Sequence, residues 1–180
     1  LIEIGKNSLE YFKFKTDDEY IDYFNREGKN VKKSILKTPI DGARLSSTYG
    51  MRKHPILGYN KMHRGIDFAA PTGTPVYAGG NGVIEFAGRN GSYGNYIRIR
   101  HNNEYKTAYA HLNGFNKGIS KGVRVNQGQV IGFVGSTGRS TGPHLHYEII
   151  YQGKQINPLT LKLPSGKILQ GDELKRFQRK

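Results

Sequence analysis

From residue 74 to residue 150 the chain is cut into short pieces. The runs TPVYA, GVIEFAG, NYIRIRHN, YKTAYAHL, GVRV, QVIGFVG and HLHYEII are separated by GGNG, GRNGSYG, HNNE and NQGQ. The runs are rich in β-branched and aromatic side chains. The breaks carry Gly and Asn, which accept the backbone angles of tight turns. No long segment shows the 3.6-residue period of an amphipathic helix. Short strands at regular spacing, with turn chemistry between them, predict an all-β domain, a sandwich or a barrel.

Composition changes near residue 38 and divides the chain into a segment 1–37, a domain 38–160 and an extension 161–180. Residues 9–24 hold two aromatic-rich runs around TDDE and predict a hairpin, with NREGKN as a further turn. That segment is too poor in apolar residues to form a domain alone. It reads as a short N-terminal extension, the tail of an upstream domain, followed by the linker KTPIDGAR. The C-terminal GDELKRFQRK predicts a short helix capped by Asp172, with basic residues in its last turn. The chain begins at Leu1 and carries no charged-then-apolar leader pattern, so it reads as a piece of a longer precursor.

The chain has 28 Lys and Arg against 14 Asp and Glu, a formal net charge of +14. Such a balance favours polyanionic partners: nucleic acid, an anionic membrane surface, or an acidic polymer such as bacterial cell wall. No zinc-finger spacing, aromatic ribonucleoprotein signature or helix-turn-helix pattern supports nucleic acid. No apolar run reaches the length of a membrane span. Cysteine is absent. Disulfides and thiolate metal sites are therefore excluded, and any transition metal must be held by His and carboxylates.

TGPHLHYE at 141–148 places two of the six histidines one residue apart. Pro143 suits the first position of a strand, and the i, i+2 spacing then puts His144 and His146 on one face. Such a pair arises by chance in roughly one chain in five, and two imidazoles are too few for a metal. HRGID supplies His63 and Asp67, four residues apart. Gly65 and the AAPTGTPV that follows argue for strand or extended loop, where i and i+4 again share a face. Together His63, Asp67 and one histidine of the 144/146 pair make a two-histidine, one-carboxylate set. Three protein ligands with a fourth position for water is the arrangement of catalytic zinc. The remaining histidine would face the site, free for proton transfer or oxyanion stabilisation. In YAHL, His111 and Tyr109 share a face at the end of a strand-like run, and Tyr109 is a candidate substrate or oxyanion contact as well as a core residue. His54 reads as a loop residue and His101 as a turn residue. Tyr59 and Asn60 lie close enough to HRGID to reach a fourth metal position.

HRGIDFAAPTGTPV, YAHL and GQVIGFVGSTGRSTGPHLHYEI resemble, in order, the signature blocks of the lysostaphin/LytM-type zinc metallopeptidases, which cut peptide cross-links of peptidoglycan. The resemblance covers about residues 38–160. It implies that His63, Asp67 and His146 hold Zn2+ and that His111 and His144 are catalytic histidines outside the ligand set. It implies an antiparallel β-sheet sandwich with the site in an open groove, and peptidoglycan stem peptides as the partner. SSTYGMRKHPILGYNKMHRGIDFAAP and NPLTLKLPSGKIL are similar to the Gram-negative, periplasmic branch, which implies D-alanyl–meso-diaminopimelate cross-links as substrate and the cell envelope as location. Relatives that only activate amidases have lost ligands, whereas here every ligand position is filled. Two carriers compete less well. A histidine phosphocarrier needs two facing histidines and no metal. A lipoyl-like carrier, suggested by VRVNQGQVIG, needs a modifiable lysine that is missing from the hairpin tip.

Overall fold

The computed structural model describes residues 2–4, 7–30, 35–53, 56, 58–160 and 166–179, with the backbone alone for those before residue 10. The chain divides into two units. The smaller joins the two ends of the sequence, Leu1–Ile35 and Lys162–Lys180. In it β1 (Ile2–Ile4) pairs with β2 (Asn7–Leu9), and β3 (Phe12–Lys15) pairs with β4 (Ile21–Phe24). The second pair is the hairpin expected around TDDE. Its inward Phe14 and Phe24 pack with Leu169 and with Phe177 of α1 (Gly171–Gln178), and the Phe14 and Phe177 rings meet edge-on at 5.3 Å. The hairpin, short of apolar residues by itself, is thus completed by the other end of the chain. The helix cap departs from expectation. The helix starts at Gly171, so Gln170 is the N-cap and makes no side-chain capping bond. Asp172 lies inside the first turn, where its carboxylate takes Lys175 Nζ at 3.1 Å.

The larger unit, Leu36–Leu161, carries β5 (Arg44–Ser47), β6 (Gly50–Lys53), β7 (Asn60–His63), β8 (Ile66–Ala69), β9 (Pro75–Tyr77), β10 (Gly82–Arg89), β11 (Asn95–Arg100), β12 (Tyr105–Phe115), β13 (Arg124–Val125), β14 (Val130–Val134), β15 (His144–Tyr151) and β16 (Lys154–Ile156). Each of the seven runs read from the sequence overlaps one of these strands, and β12 runs three residues past YKTAYAHL. Ten of the twelve form one antiparallel sheet with the path β13-β10-β11-β12-β15-β8-β5, while β6 and β7 form their own hairpin. The expected all-β, antiparallel fold is what forms. The sheet branches at β12, whose far end pairs with β14, which in turn pairs with β9.

The two faces of the central strands have different jobs. Tyr109 opposite Tyr147, and Thr107 opposite Ile149, point to one side, where Ile66, Ile97 and Leu145 are also fully buried. Each such apolar side chain contributes about 1.5–3 kcal/mol on burial. On the other side Ala108 lies opposite Glu148 and Ala110 opposite His146. Two methyl groups leave room there for an imidazole and a carboxylate.

His101 is more than a turn residue. Its Nδ1–H donates to Asn81 O at 2.7 Å and its Nε2 accepts from the Thr107 hydroxyl at 2.7 Å. Thr107 Oγ1 is in turn 2.8 Å from the Tyr109 hydroxyl. Burial pushes the His101 ring down to about 4. A histidine depressed in the folded state binds fewer protons than the unfolded chain between its two pKa values. Its contribution is complete above about 6.5 and is lost as the pH falls from there toward 4. Over that window the loss is about 3 kcal/mol. Urea midpoints measured from pH 7 to 4.5 are expected to fall less steeply in His101→Gln than in the wild type.

Candidate active site

Strand β15 carries His144, His146 and Glu148 at alternate positions, and β8 pairs beside it with Asp67 in register with His146. His63 stands at the end of β7. His63 and Asp67 therefore lie on two strands joined by a bend at Arg64–Gly65, rather than at i and i+4 of one extended segment. Gly65 makes the bend possible. A Cβ there would sit 2.5 Å from Tyr147 O and 2.7 Å from His146 Cε1, so only glycine lets the chain cross the imidazole this closely. Gly65→Ala is expected to displace His146 and to lower bound metal at least tenfold, as read by metal content after desalting.

The three candidate ligands converge. His63 Nε2 is 3.1 Å from Asp67 Oδ1 and 3.1 Å from His146 Nδ1, and His146 Nδ1 is 2.8 Å from the same carboxylate oxygen. Second partners fix each tautomer. His63 Nδ1–H donates to Thr48 O at 2.7 Å, and His146 Nε2–H donates to Glu148 Oε1 at 3.0 Å. Both inward nitrogens are then lone pairs facing each other and a carboxylate. Three acceptors in contact need a cation between them. Burial alone would lower His146, but its bonds to Asp67 and Glu148 outweigh burial and lift it to about 9. Burial would raise Asp67, yet its hydrogen bonds from His146 and His63 hold it well below the usual carboxylate range. Zinc bonds of about 2.0–2.1 Å imply ligand atoms roughly 3.3 Å apart in a tetrahedron. The observed spacings are close to that, so the donor set fits such an ion.

His111 and His144 stand beside this set, with ring centroids 4.7 Å apart. His111 Nδ1–H donates to Thr137 O at 2.8 Å, and His144 Nδ1–H to Gly142 O at 2.8 Å. Each ring thus presents an Nε2 lone pair. His144 Nε2 lies 3.9 Å from Asp67 Oδ1. Burial pushes His111 down to about 4, which keeps it neutral near pH 7. The expected shared face of His111 and Tyr109 does not form. His111 has φ 59, and its left-handed backbone breaks the alternation of β12. His111 turns to the groove, while Tyr109 stays fully buried, accepting Gly79 N–H at 2.7 Å. Tyr109 is a core residue, out of reach of substrate. The left-handed conformation costs a non-glycine residue about 1–2 kcal/mol. Thermal unfolding is therefore expected to show His111→Gly more stable than His111→Ala by about 1 kcal/mol, with turnover lowered in both.

A groove of about 700 Å³ runs over the five residues, His63, Asp67, His111, His144 and His146. Tyr59 and Asn60 are absent from its lining, and Tyr59 is 59% exposed. His54 lies outside the described residues. Residues 61–158 match peptidase family M23. The chain belongs to peptidase family M23. It is 45% identical over 162 residues to the peptidoglycan DD-endopeptidase ShyC of Vibrio cholerae, covering 89% of this chain and 37% of that protein. It is 52% identical over 135 residues to the DD-carboxypeptidase/endopeptidase Mpg of Neisseria meningitidis, covering 75% and 31%. The chain thus spans about a third of the length of these curated relatives. Among solved structures, a zinc-containing peptidase from Vibrio cholerae matches with TM-score 0.68 at 35% identity, over 86% of this chain and 47% of that one. The catalytic domain of lysostaphin from Staphylococcus simulans matches with TM-score 0.60 at 34% identity, over 66% and 91%.

The M23 groove also uses residues that the sequence reading passed over. Glu148 orients His146, and itself accepts the Tyr93 hydroxyl at 2.9 Å and Gln155 Nε2 at 3.3 Å. Arg52 Nη2 lies 3.3 Å from Asp67 Oδ2. Glu148 was detectable in principle, since HLHYE continues the i, i+2 spacing to i+4. Thr48, Thr137 and Gly142 act through backbone carbonyls, which no side-chain pattern reveals. Among the described residues, no helix is long and apolar enough to cross a membrane.

Proposed function

We propose that this chain is a zinc-dependent peptidoglycan D,D-endopeptidase that hydrolyses D-alanyl–meso-diaminopimelate cross-links in the cell envelope. The observation that carries the reading is the convergence of three lone-pair donors, His63 Nε2, Asp67 Oδ1 and His146 Nδ1, beside two further imidazoles in an open groove. The names of the relatives support the substrate. Peptidoglycan stem peptides are the partner, and the net charge of +14 favours adhesion to an anionic wall.

His63, Asp67 and His146 would hold the ion. Bound there, zinc lowers the pKa of water toward about 7 and polarises the scissile carbonyl. The rest falls to the two neighbouring histidines. Neither Nε2 carries a proton in the resting tautomer, so His111 and His144 both begin as bases. One accepts the proton of the attacking water at Nε2 and later returns it to the leaving amine. An imidazole that has gained a proton can also donate to the tetrahedral oxyanion. The carbonyls of Thr137 and Gly142 hold the rings in place while protons move at the other nitrogen.

The test is digestion of purified Gram-negative sacculi, with muropeptides separated and weighed by mass spectrometry. Conversion of cross-linked dimers to monomers, stopped by chelator and restored by zinc, is the expected result. Intact dimers in the presence of folded, zinc-loaded protein would instead favour a binding or amidase-activating module.

A further inference from the structure

We propose that Arg52 reads a free carboxylate on the substrate, carried by the carbon that bears the scissile nitrogen. This rests on the endopeptidase reading above. It begins from an underused guanidinium. Arg52 has five N–H donors. One nitrogen reaches Asp67 Oδ2 at 3.3 Å, long for a charge-assisted bond, which is normally about 2.7–2.9 Å. Its Nε is buried and has no hydrogen-bond partner, the one such side-chain atom among the described residues. The side chain is still 33% exposed, so the same group faces the groove. A buried donor on a permanent cation, beside the candidate metal set, lacks an acceptor.

The charge balance of the groove identifies the acceptor. Lys61, Arg64 and Arg139 also line it, and none of the three makes an ion pair among the described residues. Both groove carboxylates are engaged: Asp67 by His63 and His146, Glu148 by His146, Tyr93 and Gln155. Positive charge is left over where the scissile bond must lie. Meso-diaminopimelate carries a carboxyl on each amine-bearing carbon. Acylation of one amine leaves a carboxylate two bonds from the scissile nitrogen. A planar guanidinium can take that group through two parallel N–H bonds. Lys61, Arg64 and Arg139 add a longer-range field that salt screens, whereas Arg52 acts at contact. An internal glycine–glycine bond offers no carboxylate at this place. Arg52 is thus a residue that determines specificity as well as a neighbour of Asp67.

The experiment uses the zinc-loaded chain and two synthetic cross-linked peptides that differ only in this carboxyl, free in one and carboxamide in the other. Bound zinc is measured in every sample. The wild type is expected to favour the free acid in kcat/KM by about 10–100-fold, as loss of one bidentate charged contact would imply. Arg52→Gln is expected to slow the acid peptide at least tenfold more than the amide peptide. Arg52→Lys, which keeps charge without the planar fork, should recover part of the preference. Equal slowing on both peptides, or loss of zinc from Arg52→Gln, would make Arg52 an anchor for Asp67 only and overturn the proposal. Equal cleavage of both peptides by the wild type would overturn it too, while leaving the endopeptidase reading intact. Failure of the zinc-loaded wild type on both peptides would remove the endopeptidase reading and this proposal with it.

Discussion

Alanine in place of His63, Asp67 or His146 is expected to leave the chain without bound metal and without detectable cross-link hydrolysis. Each residue supplies one of only three converging lone pairs, and two donors do not make a stable zinc site. Alanine in place of His111 or His144 is expected to do something different. Both rings reach the groove through Nε2 and anchor Nδ1 on a carbonyl, so neither loss opens the donor set. Metal content should stay near that of the wild type, while turnover falls by about 10²–10⁴-fold, the usual contribution of a positioned acid–base group. Elemental analysis of desalted protein, run beside the sacculus digestion, separates the two classes. Metal loss in His111→Ala would make that histidine a ligand and reverse its assignment.

The convergence of these side chains could be read in outline from the sequence, because strand geometry is local. HLH on a strand needs only the alternation of side chains to bring His144 and His146 to one face, and β15 obeys it. The seven glycine-bounded runs were legible for the same reason. What failed was local geometry that breaks its own rule. The positive φ of His111 turns it away from Tyr109, and nothing in YAHL marks that residue as left-handed, since the conformation is imposed by the sheet around it. The bend at Gly65 likewise places His63 and Asp67 on separate strands. The helix GDELKRFQ was visible, yet its place with the Phe14–Phe24 hairpin was not, because that packing joins the two ends of the chain.

Glu148→Ala is expected to cost about 10–100-fold in metal affinity although Glu148 touches no metal, the usual effect of removing an outer-shell partner of a ligating histidine. At tenfold per 1.4 kcal/mol, this is about 1.4–2.8 kcal/mol. The physical cause is the other end of the His146 ring. Its Nε2–H donates to Glu148 Oε1 at 3.0 Å, in a site where His146 is 7% exposed and Glu148 1%. Burial would raise the Glu148 carboxyl, but the hydrogen bond and charge of His146, with the bonds from Tyr93 and Gln155, together outweigh burial and lower it. The carboxylate charge fixes the proton on Nε2, which leaves Nδ1 as the lone pair aimed at Asp67 and His63. Without it the ring can take the other tautomer and rotate, and a buried N–H loses its acceptor. Glu148→Gln retains an oxygen that can accept from Nε2–H, so its loss of affinity should be several-fold smaller. Competition against a chromophoric chelator reads these constants without relying on turnover. Wild-type affinity in both variants would mean that Glu148 only fills space beneath His146, and the orientation of the ring would then have to come from the close passage of Gly65 above it.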